Sequence, residues 1–274
     1  MIGAILGDII GSRFEFAHPQ PQTKDFELFT AKSKFTDDTV LTCAVADALL
    51  KVTASDDDET VRHALAQSVM QFARKYPNAG YGQMFWMNFV ASDNPKPYNR
   101  CGNGSAMRVS PVGLLYDTLD DTLRFARLSA EISHNHPEGV KGARATAAAM
   151  FLARTGQDKA AVKQYIEQTF GYNLDTDVEA IRSKYRQIGH GQEICQISVP
   201  DAIIAFLLAD DFEDALRTVI SFGGDTDTTG AICGGIAEAC FGVPESLKAQ
   251  ALQRLPDDLA EVARQFYKRL EQSA

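Results

Sequence analysis

The chain has 274 residues, 45% of them hydrophobic and 23% charged, enough for one substantial core, and residues 1–274 read as a single globular domain. A formal charge of −9 excludes a sequence-independent grip on nucleic acid, which needs clustered Lys and Arg to displace phosphate counterions; one small phosphorylated ligand, held by a few local donors, is compatible with it. No stretch reaches the roughly 18 to 20 uninterrupted apolar residues of a membrane span, and the opening MIGAILGDIIGSRFEF lacks the basic start and cleavage site of a signal peptide, so a cytoplasmic protein is expected.

In chain order, apolar residues recur at three- and four-residue spacing and predict helices over 39–52, 59–76, 121–132, 142–155, 160–170, 201–209, 213–222, 229–242 and 257–272. Strand-like alternation is nearly absent, so the fold class is all-α and compact. Breaks fall where Gly, Pro, Asn and Asp gather, at 18–25, 91–105, 133–139 and 221–230. The run Asp56, Asp57, Asp58, Glu59 reads as a solvated helix start, where carboxylates suit the positive end of the dipole. Five cysteines (Cys43, Cys101, Cys195, Cys233, Cys240) without a C-x-x-C pair argue against a disulfide framework or a zinc ribbon; they are expected to be reduced and mostly buried.

Two breaks carry chemistry. In FTDDTVLTC, Thr36, Asp37 and Asp38 precede an apolar helix, and a helix cap explains one acid but not two adjacent ones. In SFGGDTDTTGAICGG, Asp225 and Asp227 again open an apolar helix, with Thr228 alongside. Hard divalent cations take such carboxylate and hydroxyl oxygens. If these starts, about 190 residues apart, converge, four negative charges demand cations. DTDTT also fits the D-x-D-x-T pattern of haloacid-dehalogenase phosphatases, but that motif belongs at the end of an early strand of a parallel sheet, whereas this one lies late in a helical chain. No twelve-residue EF-hand loop ending in Glu follows either cluster.

Three further segments bear on a ligand. CGNGSAMR places Gly102, Asn103 and Gly104 ahead of a helix expected to continue to Pro111, a turn whose N–H groups suit a pyrophosphate. Arg108 either adds charge there or anchors the loop. GYGQMFWMNF supplies Tyr81 and Phe85 for stacking, although a core stripe explains Phe85, Trp86 and Phe89 as well; Gly82 reads as a close-approach position. In SHNHPEG, Pro137 suits the first helical position, so His136 or Asn135 reads as the cap, and zinc at His134 and His136 lacks further ligands at metal spacing.

With these residues in view, the sequence resembles the ADP-ribosylglycohydrolase family along nearly its whole length, through GAILGDIIGSRFEF, FTDDTVLTCAVADALL, GYGQMF, GNGSAMRVSPVGLL, SHNHPEG and FGGDTDTTGAICGGIAEACFG. The resemblance implies a compact all-α fold with two Mg²⁺ (or Mn²⁺) ions in a cleft, held by Thr36, Asp37, Asp38, Asp225, Asp227 and Thr228, and hydrolysis of the bond between ADP-ribose and a modified side chain or a small ADP-ribosyl compound. It matches Glu15 to a glutamate that relatives hold near the metals, although on its own Glu15 reads as an exposed acid between Phe14 and Phe16; cleavage at the ribose needs proton transfer, for which Glu15 with Asp37 or Asp38 is expected. It makes His134 the ligand-facing histidine and Met107 a further substrate contact. Asn99, Arg100 and Cys101 depart from the family pattern and are assigned to the acceptor end of the pocket. A metal-dependent phosphoesterase or pyrophosphatase would differ by releasing phosphate, and a non-catalytic ADP-ribose-binding module by thermal stabilisation without turnover.

Overall fold

The computed structural model describes residues 1–17, 23–93, 95–188 and 191–273; the early part of the break expected at 18–25 lies outside them. The described residues form helices α1 (Ile2–Gly11), α2 (Asp37–Leu49), α3 (Asp58–Lys75), α4 (Gln83–Phe85, continued by a π-helical turn over Trp86–Val90), α5 (Gly104–Met107), α6 (Ser110–Leu115), α7 (Leu119–Glu131) and α8 (Pro137–Arg154). Then follow α9 (Lys159–Phe170), α10 (Val178–Ile188), α11 (Cys195–Leu208), α12 (Phe212–Ile220), α13 (Thr226–Phe241), α14 (Glu245–Gln253) and α15 (Asp257–Ser273). The fold is all-α, as the sequence pattern predicts. Among the described residues the only β pairing is an isolated bridge between Gly102 and Ile194, and no helix is long and apolar enough to cross a membrane.

Side-chain caps start these helices where the sequence places Ser, Thr or Asp: Thr36 accepts from the Asp38 N–H, Asp57 from Thr60, Thr118 from Asp121, Asp158 from Ala161 and Asp211 from Asp214. The acidic run is thus a helix start, with Asp57 as cap and Asp58 paired to Arg124 and Arg127. His136 caps α8, whose first position is Pro137. Three cysteines are buried, Cys101 is half-buried and Cys240 exposed, all as free thiols.

At the centre lies α13, against α1, α8, α11 and α12. Its closest neighbour is α1, which runs antiparallel to it: a side chain on Gly3 would strike Gly234, one on Gly7 would strike Gly230, and one on Gly11 would strike Thr226. Glycine at every fourth position keeps one face of α1 bare, so the two backbones touch. Every residue of α1 is buried, and the helix was not predicted at the start of the chain. The short α4 and α14 and the amphipathic α10, which buries Ile181 and Tyr185, were likewise not predicted.

One expectation needs correction. The helix after Gly102–Gly104 does not run through to Pro111: α5 stops at Met107, and α6 restarts at Ser110 with the proline in its first turn. Proline lacks an N–H and crowds the carbonyl four residues before it, so it is accommodated by a fresh helix start rather than inside a continuing helix. The interruption at Arg108 and Val109 turns the Arg108 side chain into the protein, where it is fully buried.

Candidate active site

The two acid clusters converge. Asp37 and Asp38 occupy the first turn of α2, while Asp225 stands at the N-cap position of α13, without a side-chain capping bond, and Asp227 in its first turn. The Thr228 hydroxyl donates to Asp38 Oδ2 at 3.3 Å, joining the helix starts directly. Glu15 reaches them from the turn after α1: one ligand oxygen each from Glu15, Asp225 and Asp227 lies within 4.8 Å of the others. That turn is tied down by the Phe16 N–H donating to Gly224 O at 2.9 Å, and Phe16 holds a left-handed φ of 47°, a conformation costly for a bulky residue and concentrated at functional sites. The Thr226 hydroxyl donates to Gly11 O at 2.9 Å, so the tight α1–α13 contact sets where Asp227 stands.

Asp8, which sequence reasoning passed over, organises the floor. It is fully buried and accepts from the Thr36 N–H (2.9 Å), the Thr36 hydroxyl (2.7 Å), the Thr39 N–H (3.0 Å) and the Thr39 hydroxyl. Two of these donors are backbone groups at the start of α2, so Asp8 does from a neighbouring helix what a cap residue does locally. Its signal was a lone acid in an otherwise apolar helix.

The electrostatics are those of carboxylates crowded together out of water. Burial, and then the charge of Asp8 with contributions from Glu15 and Asp225, push the Asp37 carboxyl up to about 8. Burial and neighbouring carboxylates hold Asp38 and Asp227 well above the usual range and raise Glu15, while Asp225 is raised mainly by burial. Among the described residues no ion pair with Lys or Arg offsets Asp8, Asp37, Asp38, Asp225 or Asp227. Asp38 Oδ1 is buried with no hydrogen-bond partner, a costly state for a carboxylate oxygen. An all-oxygen donor set with an orphaned oxygen at its centre fits Mg²⁺ or Mn²⁺.

A cavity of about 440 Å³ opens above this floor. It is lined by Glu15, Asp37, Asp38, Asp225, Asp227 and Thr228, and across from them by Gly82, Phe85, Arg100, Gly102, Asn103, Gly104, Met107 and His134. The Asn103 amide donates to Asp225 Oδ2 at 2.6 Å and to Ser198 Oγ at 2.9 Å. The glycine turn and the α13 acids are therefore one unit. Four candidates stand off the wall. Thr36 lies beneath it, bonded to Asp8; Tyr81 packs on Phe85 and Trp86; Asn99 is exposed and donates its N–H to Asn135; and the Cys101 carbonyl accepts from the Cys195 N–H. Of the three departures from the family pattern, only Arg100 lines the cavity. Tyr98 and Glu193, absent from the sequence-based set, line it too. Arg108 is anchored, donating to Ser129 O and Ser133 Oγ at 2.8 Å each.

A sequence profile of the ADP-ribosylglycohydrolase family matches residues 1–274. The chain belongs to that family. As a member it is a glycohydrolase enzyme. It is 30% identical over 321 residues to human ADP-ribosylhydrolase ARH3, covering 90% of this chain and 86% of the relative. It is 26% identical over 290 residues to the uncharacterized protein YegU of Escherichia coli K12, covering 89% and 86%. Among solved structures, one described as an ADP-ribosylglycohydrolase-related protein complex superposes with a TM-score of 0.70 at 23% identity, covering 98% of this chain and 97% of that one, which extends the fold of the glycohydrolase to a distant sequence.

Proposed function

We propose that this glycohydrolase works as a single cytoplasmic domain that hydrolyses the bond between C1″ of ADP-ribose and a modified protein side chain or small-molecule acceptor, and that it requires two Mg²⁺ or Mn²⁺ ions. The observation that carries the reading is that Asp37, Asp38, Asp225 and Asp227 line one cavity, raised in proton affinity by burial and by neighbouring carboxylates, with no ion pair to Lys or Arg among the described residues. Thr36, Asp37, Asp38, Asp225, Asp227 and Thr228 would hold the ions, which when bound supply positive charge to orient the ribose hydroxyls and favour ionisation of water. The residues do the rest. The Gly102–Gly104 turn presents backbone to the pyrophosphate, and Phe85 and Tyr98 offer aromatic faces. Bond cleavage builds oxocarbenium character on the ribose, which the carboxylates stabilise by charge. Glu15, exposed at the cavity edge with a raised proton affinity, exchanges the proton between water and leaving group. Glu15 and Glu193 line the cavity with Arg100; the two carboxylates suit the guanidinium of an arginine acceptor first and a serine acceptor second.

The test incubates the protein with arginine- and serine-ADP-ribosylated targets, with Mg²⁺ or excess chelator, beside Asp38→Ala and Asp227→Ala. Chelator and each substitution should lower the rate by at least about 100-fold. Undiminished hydrolysis in chelator or in both variants would refute the metal-dependent reading, and release of inorganic phosphate from ADP-ribose would replace it with a phosphoesterase.

A further inference from the structure

Across the cavity from the carboxylates, three residues form a chain of hydrogen bonds that ends at the ligand space. Arg108, fully buried, donates from Nη2 to Ser133 Oγ at 2.8 Å, and Ser133 Oγ lies 2.8 Å from His134 Nδ1. A guanidinium has no acceptor atom, so Ser133 must accept from Arg108. Its own proton is then free, and Nδ1 is the acceptor within reach. Were Nδ1 protonated instead, the buried Ser133 proton would be left without a partner, at the full desolvation cost of an unmade bond. The far edge of the imidazole faces the glycine turn: a side chain on Gly104 would stand 3.1 Å from Nε2, and one on Gly102 3.4 Å. Tyr98 and Phe85 flank the ring at centroid distances of 5.7 and 6.4 Å.

We infer that Arg108 and Ser133 are positioning residues that lock His134 as the neutral tautomer protonated on Nε2, making it a fixed hydrogen-bond donor to an oxygen of the bound nucleotide. The identity of that ligand rests on the ADP-ribosyl reading above; the tautomer does not. His134 is thus neither the general base nor a cation for the pyrophosphate. Burial and the charges of Arg108 and Arg100 hold its proton affinity well below that of a free imidazole, consistent with a ring that stays neutral.

Nitrogen-15 correlation spectra of the free protein read the tautomer directly. An unprotonated Nδ1 and a protonated Nε2 should persist from about pH 8 to about pH 5, where an ordinary histidine becomes charged; a proton on Nδ1, or an imidazolium forming in that range, would overturn the inference. Ser133→Ala should release the ring to a mixture of tautomers and weaken ADP-ribose binding in Mg²⁺ roughly 3- to 10-fold. Because a glutamine amide reaches the position of Nε2 and an asparagine amide that of Nδ1, His134→Gln should bind ADP-ribose roughly 3- to 10-fold more tightly than His134→Asn. The reverse order would overturn the donor role even if Ser133→Ala fails to fold. Wild-type protein that binds no ADP-ribose would refute the nucleotide reading, with the tautomer still decided by the spectra of the free protein.

Discussion

Asp8 does not line the cavity, yet four donors from the α2 start converge on its two oxygens. Removing it has opposing consequences: the Thr36 and Thr39 N–H groups lose their acceptor, while the repulsion it exerts on Asp37 and Asp38 is relieved. Hydrogen bonds to a charged acceptor contribute about 1.5–3 kcal/mol each, and Mg²⁺ bound as proposed would already offset the repulsion. Asp8→Ala should therefore destabilise the protein by about 2–4 kcal/mol in Mg²⁺, measured by denaturant unfolding, and weaken Mg²⁺ binding by about 10-fold through the freed Thr36. A neutral effect on both would mean that the α2 start holds its own shape. Paired acids at an apolar helix start made Asp37, Asp38, Asp225 and Asp227 legible in the sequence, because capping explains one acid and not two. Glu15 was legible only through the family resemblance, since between two phenylalanines it looks like any surface acid. Asp8, Tyr98 and Ser133 acquire their places from tertiary contacts that no local pattern encodes.

Among the helices, the α1–α13 contact does more than fill the core, for it sets Asp8, Gly11 and the Glu15 turn against the start of α13. A methyl group at Gly7 would collide with the Gly230 carbonyl group and the next backbone nitrogen, atoms that cannot rotate aside as a side chain would. Alanine gains about 1 kcal/mol of helix propensity over glycine but meets an overpacking penalty of about 3 kcal/mol. Gly7→Ala should lose about 2 kcal/mol net in an unfolding titration and lower Mg²⁺ affinity, although it contacts no candidate ligand. Gly82→Ala is the control: with φ of −56° and nothing within 4 Å of the added methyl, its stability should stay within about 0.5 kcal/mol of the parent. Equal losses at both positions would show that the contact between the two helices can slide. Most helices were legible from apolar residues at three- and four-residue spacing, the buried α13 included; α1 was not, because glycines stand in its apolar run at every fourth position, and the amphipathic α10 was missed despite its pattern. The break between α5 and α6 was missed by treating Pro111 as a terminus rather than as a restart, and that break is what buries Arg108 beside His134.

For the molecule as a whole, the acid cluster makes stability and pH run opposite to the common pattern. A carboxyl whose proton affinity is higher in the folded than in the unfolded state leaves the folded protein holding more protons between the two pKa values. For Asp37 that window extends from the ordinary 3.8 to about 8, and Asp38, Asp225 and Asp227 shift in the same direction. Stability from this source is complete below the window and is lost as pH rises through it. Asp57, Asp58 and Asp258, whose pKa values are lowered, act conversely and lose their contribution only as pH falls below the ordinary carboxylate range. Protein freed of divalent ions should therefore melt at progressively lower temperature between about pH 5 and about pH 8. If the acids hold Mg²⁺ as proposed, the ion should reverse the trend: it would bind the ionised carboxylates in competition with protons, so its stabilisation would grow over the same range. The informative quantity is the difference in melting temperature with and without Mg²⁺ at each pH, in which titrations elsewhere in the protein cancel. A difference that widens steadily toward about pH 8 is the expected result. A difference constant across the window would mean that the carboxylates are ionised without the cation, and that the charge repulsion inferred from their convergence is relieved by the protein itself.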